Sequence, residues 1–430
     1  MLEAPEETAG IQHMKNVAYI ANQFPSAVEP YVWEEICQLR SRGIAVIATS
    51  ARRPNAAELT ADLREIAKQT LFLQPMRWWL LLRAAWLCLC SVGILSDILL
   101  RVLAGRNESL GRQIRALLHT WLGAYYALLL QKRGVEHIHV HHGYFGSWVA
   151  MVAARLLGIT FSMTLHGSDL LQHGAYLDIK LANCSFCFTV SEYNRRFILE
   201  RYPGIPTNKI SVQHMGVDTA QSLIPAKQAQ GPEGCLLLLA VGRLHAVKDH
   251  AFLLRSCALL KQRSLRFLCL IAGEGPERKS LEQLIAELGL KSEVKLLGHV
   301  AKDELDLYYT MADLAVLTSR SEGIPLVLME AMARSKIVLA PAVTGIPELV
   351  IDGETGFLFQ PGSLDDFICR VELIETLKPH LASVGLAARE YVLTHFNRQK
   401  NLEIFANRFL ARVYPCAELV PNENPILQQI

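Results

Sequence analysis

The sequence predicts an α/β protein of two parallel-sheet domains joined by a short linker, and three observations predict it. Short apolar runs with strand character alternate with helical stretches in both halves, the pattern of strand–helix–strand units. Residues 219–233, TAQSLIPAKQAQGPE, are polar and carry proline and glycine, as a connection does. A chain of 430 residues also exceeds what one core commonly holds. The expected division is a first domain over 14–218, a second over 234–397, a last helical stretch over 398–414 and a tail over 415–430.

In the first half, VAYIA (17–21) reads as a strand, FPSAVEP (24–30) as a loop, YVWEEICQLRSRG (31–43) as an amphipathic helix closed by Gly43, and IAVIATS (44–50) as a second strand. Such an opening places its first loop at the carboxyl edge of a parallel sheet, where ligands bind. Residues 71–135 differ from the rest: they hold Trp78, Trp79, Trp86 and Trp121, and eight Lys/Arg against two Asp/Glu. The uncharged run Ala84 to Ser96 has 13 residues, fewer than the roughly 20 needed to span a bilayer. Basic residues among Trp and Leu suit helices lying in a membrane interface. Next, His137, His139 and His141 alternate and share one face of a strand, so a zinc site must be weighed, but no carboxylate or cysteine follows at useful spacing. A strand ending in His166-Gly167-Ser168-Asp169 follows, then FCFTV and a helix with Ser191 at its N-cap.

The second half begins with the buried strand CLLLLAV, which delivers Gly242, Arg243 and, after a short loop, Lys248 to its carboxyl edge. Two fixed cations there suit a diphosphate, Arg as a planar fork and Lys as a point charge. FLCLIAGEGPE is a strand and a Gly-x-Gly turn, which falls short of a dinucleotide fingerprint, and VKLLGHV is a further strand. In DLAVLTSRSEGIPLVLMEAMARSKIVLA (313–340) a strand, a flexible loop and a helix follow, with Pro325 at the first helical position. That helix is apolar nearly all round, so Glu330 in its middle needs a hydroxylated or cationic partner. Glu322 stands just before the helix start, beside Gly323, where backbone can approach a ligand. The free N–H groups near Leu326 and Val327 form an anion site between the two carboxylates. A sugar linked through a diphosphate to a nucleoside fits that order: sugar hydroxyls at Glu322, diphosphate at the helix start, ribose at Glu330.

The string EGIPLVLME resembles the donor-binding signature of retaining glycosyltransferases with two Rossmann-like domains facing a central cleft, the GT-B fold. The resemblance runs from about Met14 to Tyr414 and implies that the last helix crosses back to the first domain. The opening NQFPSAVEPYVWEEI is similar to that of bacterial exopolysaccharide glycosyltransferases of the colanic-acid type, which implies that Gln23 and Ser26 face the cleft and that Glu29 serves the acceptor. Paired histidines in the family match this chain at His141, and the family's cleft histidine, which lies against the donor sugar, matches His166 in TLHGSD, with Asp169 beside it. Gly216 and Asp218 match the turn leading to the hinge. VGRL and Lys248 look like the diphosphate clamp, although Asp249 stands where glycine is usual, and Gly298 to Val300 match the loop beside the base. In VTGIPELV, with Gly345 and Glu348, Thr344 likewise stands where glycine is common.

Composition agrees with a compact protein: 51% of residues are hydrophobic and 20% charged. A net charge of +2 gives no pointer to nucleic acid. The ten cysteines are scattered, several in apolar runs, and the one Cys-x-x-Cys, Cys184 and Cys187, lacks a second pair, so a reducing cytosol is expected. The N-terminal residues show no secretory signal, and the expected location is cytoplasmic, at the inner leaflet. No two aspartates stand at Asp-x-Asp spacing, so transfer from a nucleotide sugar to a glycan or lipid-linked acceptor is expected without metal or other cofactor. A nucleotide-sugar epimerase, a sugar phosphorylase or sugar-phosphate synthase, and a non-catalytic nucleotide-sugar-binding protein are the alternative readings.

Overall fold

The computed structural model describes residues 16–26, 29–55, 59–104, 108–171, 174–218 and 234–415, so the predicted linker and the tail beyond 415 lie outside the described residues. One sheet holds β1 (Asn16–Gln23), β2 (Ala45–Arg52), β3 (Leu71–Phe72), β4 (Val135–His141), β5 (Thr160–Leu165), β6 (Cys187–Thr189) and β7 (Ile210–Val212), in the order β3-β2-β1-β4-β5-β6-β7. The other holds β8 (Leu236–Val241), β9 (Phe267–Ala272), β10 (Val294–Gly298), β11 (Leu314–Val316), β12 (Ile337–Pro341) and β13 (Phe357–Phe359), in the order β10-β9-β8-β11-β12-β13. Every pairing is parallel. Strands such as Leu236–Val241 are apolar along their whole length because helices cover both faces of the sheet.

The first half carries α1 (Pro30–Arg40), α2 (Ala61–Lys68), α3 (Trp78–Cys90), α4 (Val92–Ala104), α5 (Leu110–Leu130), α6 (Phe145–Leu157), α7 (Ser168–Leu171), α8 (Leu177–Asn183) and α9 (Glu192–Arg201). The second carries α10 (His250–Gln262), α11 (Arg278–Glu287), α12 (Lys302–Met311), α13 (Leu326–Ala333), α14 (Leu364–Leu377) and α15 (Ala382–His395), and α16 (Arg398–Val413) returns to the first sheet. Phe405 and Phe409 of α16 pack with Tyr19, Phe186 and Phe188, while Arg398 at its start pairs with Glu34 at 2.8 Å and Asp218 at 2.9 Å. Buried aromatics fix the helix on the sheet, and the arginine ties the crossing point.

Two proline readings shift by one position. Pro30, read into the loop, is the first residue of α1, and Pro325, read into the helix, is the N-cap of α13, which starts at Leu326. Proline suits both places, since its missing N–H has no intrahelical partner in either. Residues 71–135 fold into α3, α4 and α5, with Leu80 and Ala84 of α3 packed on Ala124 and Tyr125 of α5. The outer face of α3 exposes Trp78 to 73% and Trp86 to 70%. Among the described residues no single helix is long and apolar enough to cross a membrane, and α3 and α4 are bent by 89° at their junction.

Both sheets reverse direction of construction at one pair of strands, β1/β4 in the first and β8/β11 in the second. Open α/β sheets bind ligands beyond the carboxyl ends of such strands. Those ends carry Gln23 and His141 in one half, and in the other lead to Arg243 and Glu322.

Candidate active site

The loops after β5 and β11 meet across the two domains. A Cβ on Gly323 would fall 2.1 Å from the His166 carbonyl oxygen, and one on Gly167 would fall 3.0 Å from the Gly323 nitrogen. Bare backbone alone lets the loops approach so closely. Gly167 also has φ +151°, a region open to glycine. Glu348 adds a second tie between the domains, its carboxylate accepting the N–H groups of Glu192 at 2.8 Å and Tyr193 at 2.6 Å at the start of α9, where an anion is favoured.

On the second-domain side, Lys248 Nζ donates to Glu322 Oε1 at 2.6 Å. Sequence reading assigned them separate tasks, sugar and diphosphate, and the structure holds them as one pair. Thr344 fixes the loop: its hydroxyl donates to the Glu322 carbonyl at 2.6 Å and accepts the Glu322 N–H at 3.0 Å. Thr344 has φ +46° and Asp249 φ +49°, a region that favours glycine. Each non-glycine residue offsets the strain by bonding, Thr344 to Glu322 and Asp249 to Arg320 at 2.7 Å and to the Phe252 N–H at 3.3 Å. At the start of α13 the intrahelical bonding of N–H groups begins at Leu328, which leaves those of Leu326 and Val327 without an intrahelical acceptor. Glu330 finds the hydroxyl its burial demands, Tyr309 Oη at 3.0 Å. Burial raises it above the ordinary carboxylate range, with Tyr309 and Arg334 acting in the opposite sense. A cavity of about 320 Å³ beyond β8, β9 and β10 is lined by Gly242, Arg243, Gly273, Glu274, His299 and Val300, and Gly298 precedes it at φ +80°.

On the first-domain side the three alternating histidines of β4 form a ladder against the hydroxyls of β5. His137 bonds the hydroxyls of Thr160 and Ser162 at 2.7 Å each, and His139 those of Ser162 at 2.7 Å and Thr164 at 3.1 Å. Burial lowers His137 to about 3 and His139 well below its ordinary value, so both are neutral hydrogen-bonding groups. The carboxylate that the local spacing lacked arrives from α1: ligand atoms of Glu35, His139 and His141 lie within 4.8 Å of one another. Yet both ring nitrogens of His139 are taken by hydroxyls, which suits a hydrogen-bonded core better than a metal.

His141 continues the ladder into the cleft. Its Nε2 lies 3.0 Å from Glu35 Oε2 and its Nδ1 3.1 Å from His166 Nε2. With the Glu35 carboxylate accepting from Nε2–H, His141 Nδ1 accepts from His166 Nε2–H, and His166 Nδ1 is left as an acceptor. Burial, with His142 and His141 nearby, keeps His166 neutral, well below its ordinary value. Tyr31 packs over it at 4.8 Å between ring centroids. His141 and Asp169, assigned to the cleft from sequence, are buried and act on backbone or on His166. The Asp169 carboxylate accepts the N–H groups of Gly143 at 2.8 Å, His166 at 3.1 Å and Gly167 at 2.8 Å, which pins both loops. Gln23 is exposed at the end of β1 and Ser26 half-buried. Glu29 is engaged by His142 Nε2 at 3.0 Å, and Arg243 from the other domain acts on it electrostatically.

His142, Glu35, Tyr31 and Tyr309 are the residues sequence reading missed. His142 has φ +71° and lies between Glu29 and Asp169, the latter 3.7 Å from its Nδ1. Burial disfavours its charge, but the two carboxylates outweigh that and raise it to about 10. Burial likewise works against the charge of Glu29 and Asp169, and His142 brings both below their ordinary values. The imidazolium therefore contributes stability fully below its ordinary pKa of 6.5 and loses it as pH rises through about 10. The carboxylates contribute above their ordinary values and lose it as pH falls. A ring-proton NMR titration is expected to find His142 still protonated at about pH 9, and Glu29→Gln to move its midpoint down by a unit or more; a midpoint near 6.5 in the wild type would remove this cluster from the account.

Against known proteins, residues 100–221 match the family described as Glycosyltransferase Family 4 and residues 226–391 the one described as Glycosyl transferases group 1. The amylovoran biosynthesis glycosyltransferase AmsK of Erwinia amylovora is 32% identical over 201 residues, 45% of this chain and 49% of that protein, so the chain spans about half of this relative. Sucrose-phosphate synthase from Thermosynechococcus elongatus aligns with TM-score 0.69 at 17% identity, covering 94% of this chain and 100% of that one. HepE of Anabaena, in complex with UDP and glucose, aligns with TM-score 0.65 at 17% identity, covering 92% and 100%. At such identity the two structures speak for the fold, and the two family matches, one on each domain, speak for descent. Two parallel sheets facing one cleft and a helix returning from the second to the first give the chain the GT-B fold, and within it residues 100–221 form a family 4 and residues 226–391 a group 1 glycosyltransferase domain.

Proposed function

We propose that the protein is a retaining glycosyltransferase that moves a sugar from a nucleoside-diphosphate sugar to a carbohydrate or lipid-linked glycan, in exopolysaccharide or cell-surface polysaccharide synthesis. The observation that carries this reading is the contact of Gly323 with the His166 carbonyl, which closes Glu322, Lys248 and the α13 start against the histidine loop. AmsK, named for amylovoran biosynthesis, supports the polysaccharide setting, and the UDP and glucose held by HepE favour a UDP-sugar as the first donor to try.

In this reading the diphosphate lies on the Leu326 and Val327 N–H groups between Arg243 and Lys248, which stabilise charge building on the leaving phosphate. Glu330 takes the ribose and the Gly298 to Val300 loop the base. Glu322 is held by Lys248 and Thr344, a geometry suited to orienting the donor sugar and not to attacking it. Acceptor attack then comes from the same face as departure, assisted by the leaving phosphate. Arg243, Lys248 and the helix start perform what a divalent ion on Asp-x-Asp performs in other transferases. A panel of UDP-, GDP- and ADP-sugars is expected to include one that the purified protein hydrolyses slowly and undiminished in excess chelator. Activity lost on chelation and restored by magnesium would overturn the metal-independent part.

The same proposal puts the protein on the cytoplasmic leaflet through the outer face of α3. Trp78, Leu82, Trp86 and Leu89 recur there at helical spacing, all exposed. In liposome flotation with anionic vesicles, Trp78→Ser with Trp86→Ser is expected to weaken binding at least about tenfold, since each indole takes a large apolar area out of water. Unchanged flotation would remove the membrane from the account.

A further inference from the structure

Away from the cleft, a second cavity gathers positive charge that the transfer reaction does not use. It measures about 330 Å³, lies between α5, α6 and α8, and is lined by Arg112, Arg115, His119, Tyr144, Tyr176 and Lys180. Lys180 is buried, its Nζ donating to the carbonyls of Gly143 at 2.7 Å and Tyr144 at 3.2 Å. An ammonium has three protons, so one donor remains for a ligand. Burial lowers Lys180 to about 8, which leaves it mostly charged at neutral pH, and lowers His119 to about 4, which leaves it neutral. The Arg115 side chain makes no hydrogen bond or ion pair among the described residues, and Arg112 shares Glu108 at 2.9 Å.

Tyr176 supplies an independent observation. It is 4% exposed, and its hydroxyl has no partner among the described residues. Its backbone sits at φ +53°, with its ring 5.1 Å from Trp148 and the Arg101 guanidinium 5.4 Å above it. A buried hydroxyl without an acceptor costs about 1–3 kcal/mol, so this position asks for a ligand rich in acceptor oxygens. Of the acids nearby, Glu108 is bound by Arg112, Asp178 by Arg101 at 2.9 Å, and Asp169 by the loops of the cleft. What remains around the cavity is net positive.

Its position connects two regions. Tyr144 belongs to the same turn as His142, so one loop has the cleft on one side and this cavity on the other. Along α5, the turns that carry Arg112 and Arg115 also expose Leu110, Ile114 and Leu118. We propose, building on the transferase reading, that this cavity binds the diphosphate of a lipid-linked acceptor. Arg112, Arg115, Lys180 and the Tyr176 hydroxyl hold its oxygens, the apolar helices meet its hydrocarbon, and its sugar reaches the cleft past His142. Planar arginines and an enclosed ammonium are the groups that recognise such an anion.

The test uses the full chain and no donor sugar, so its outcome is independent of whether any nucleotide sugar is turned over. Phosphatidylcholine vesicles doped with a polyprenyl diphosphate are compared with vesicles matched in charge by phosphatidylglycerol, and inorganic pyrophosphate is titrated separately. The doped vesicles are expected to bind at least about tenfold more tightly, the worth of one or two charge-assisted hydrogen bonds. Arg115→Ala and, separately, Lys180→Met are expected to abolish that preference while leaving binding to phosphatidylglycerol vesicles unchanged; Arg115 is exposed, so its variant keeps the wild-type melting temperature. Equal binding to both vesicle types, or a preference that survives Arg115→Ala, overturns the proposal. Pyrophosphate bound tightly without any preference for the doped vesicles overturns it too, and reassigns the cavity to a soluble anion.

Discussion

Glu322→Ala is expected to lower turnover about a hundred- to a thousandfold, the range lost when one preorganised polar group is taken from a transition state. The protein should remain folded. The side chain is held by a single ion pair to Lys248 at 2.6 Å, with both groups about 15% exposed, and the surrounding loop is fixed by Thr344 through backbone atoms that alanine retains. The loss should fall on kcat more than on donor affinity, because the diphosphate contacts at Arg243 and the α13 start are untouched. Glu322→Gln keeps the shape and loses the charge, so it should lie between the two. A Glu322→Ala enzyme with wild-type turnover would refute the role given to this carboxylate.

Gly323→Ala is expected to be at least as damaging for a different reason. The added methyl would lie 2.1 Å from the His166 carbonyl oxygen and 2.7 Å from Val190 Cγ2, well inside van der Waals contact with the first domain. Backbone at that place cannot yield as a flexible side chain can, so the domains must stand further apart. A displacement of about 1 Å between reacting groups can cost about a hundredfold. Each domain keeps its own core, and the thermal transition should therefore change little while transfer falls by about two orders of magnitude or more. Small-angle scattering on the variant should register a wider cleft. Normal activity with an unaltered envelope would mean that the closed contact is not the working state.

Chain distance decides which features of the site are legible in residue order alone. Glu322, Glu330, Arg243 and Lys248 lie in local motifs, a strand end followed by a loop and a helix, and such patterns are legible because adjacent residues create them. The partners of those motifs come from elsewhere. Glu35 meets His141 across 106 positions, Glu29 meets His142 across 113, and Tyr309 reaches Glu330 from the preceding helix. Nothing in a single sequence without long-range pairing information marks those contacts. Asp249 and Thr344 show an intermediate case. Their departure from glycine is visible in the sequence, but their positive φ and the bonds that offset it emerge only from the fold. For residues 71–135 composition pointed to amphipathic helices, whereas the outward turn of Trp78 and Trp86 follows from how α3 packs on α5.

Crystals soaked with UDP test the central claim most directly. The account expects the diphosphate on the Leu326 and Val327 amides, its oxygens met by Arg243 and Lys248, the ribose hydroxyls at Glu330 and the base beside Val300. UDP bound away from the α13 start, or no UDP bound in crystals whose cleft is open to solvent, would contradict it.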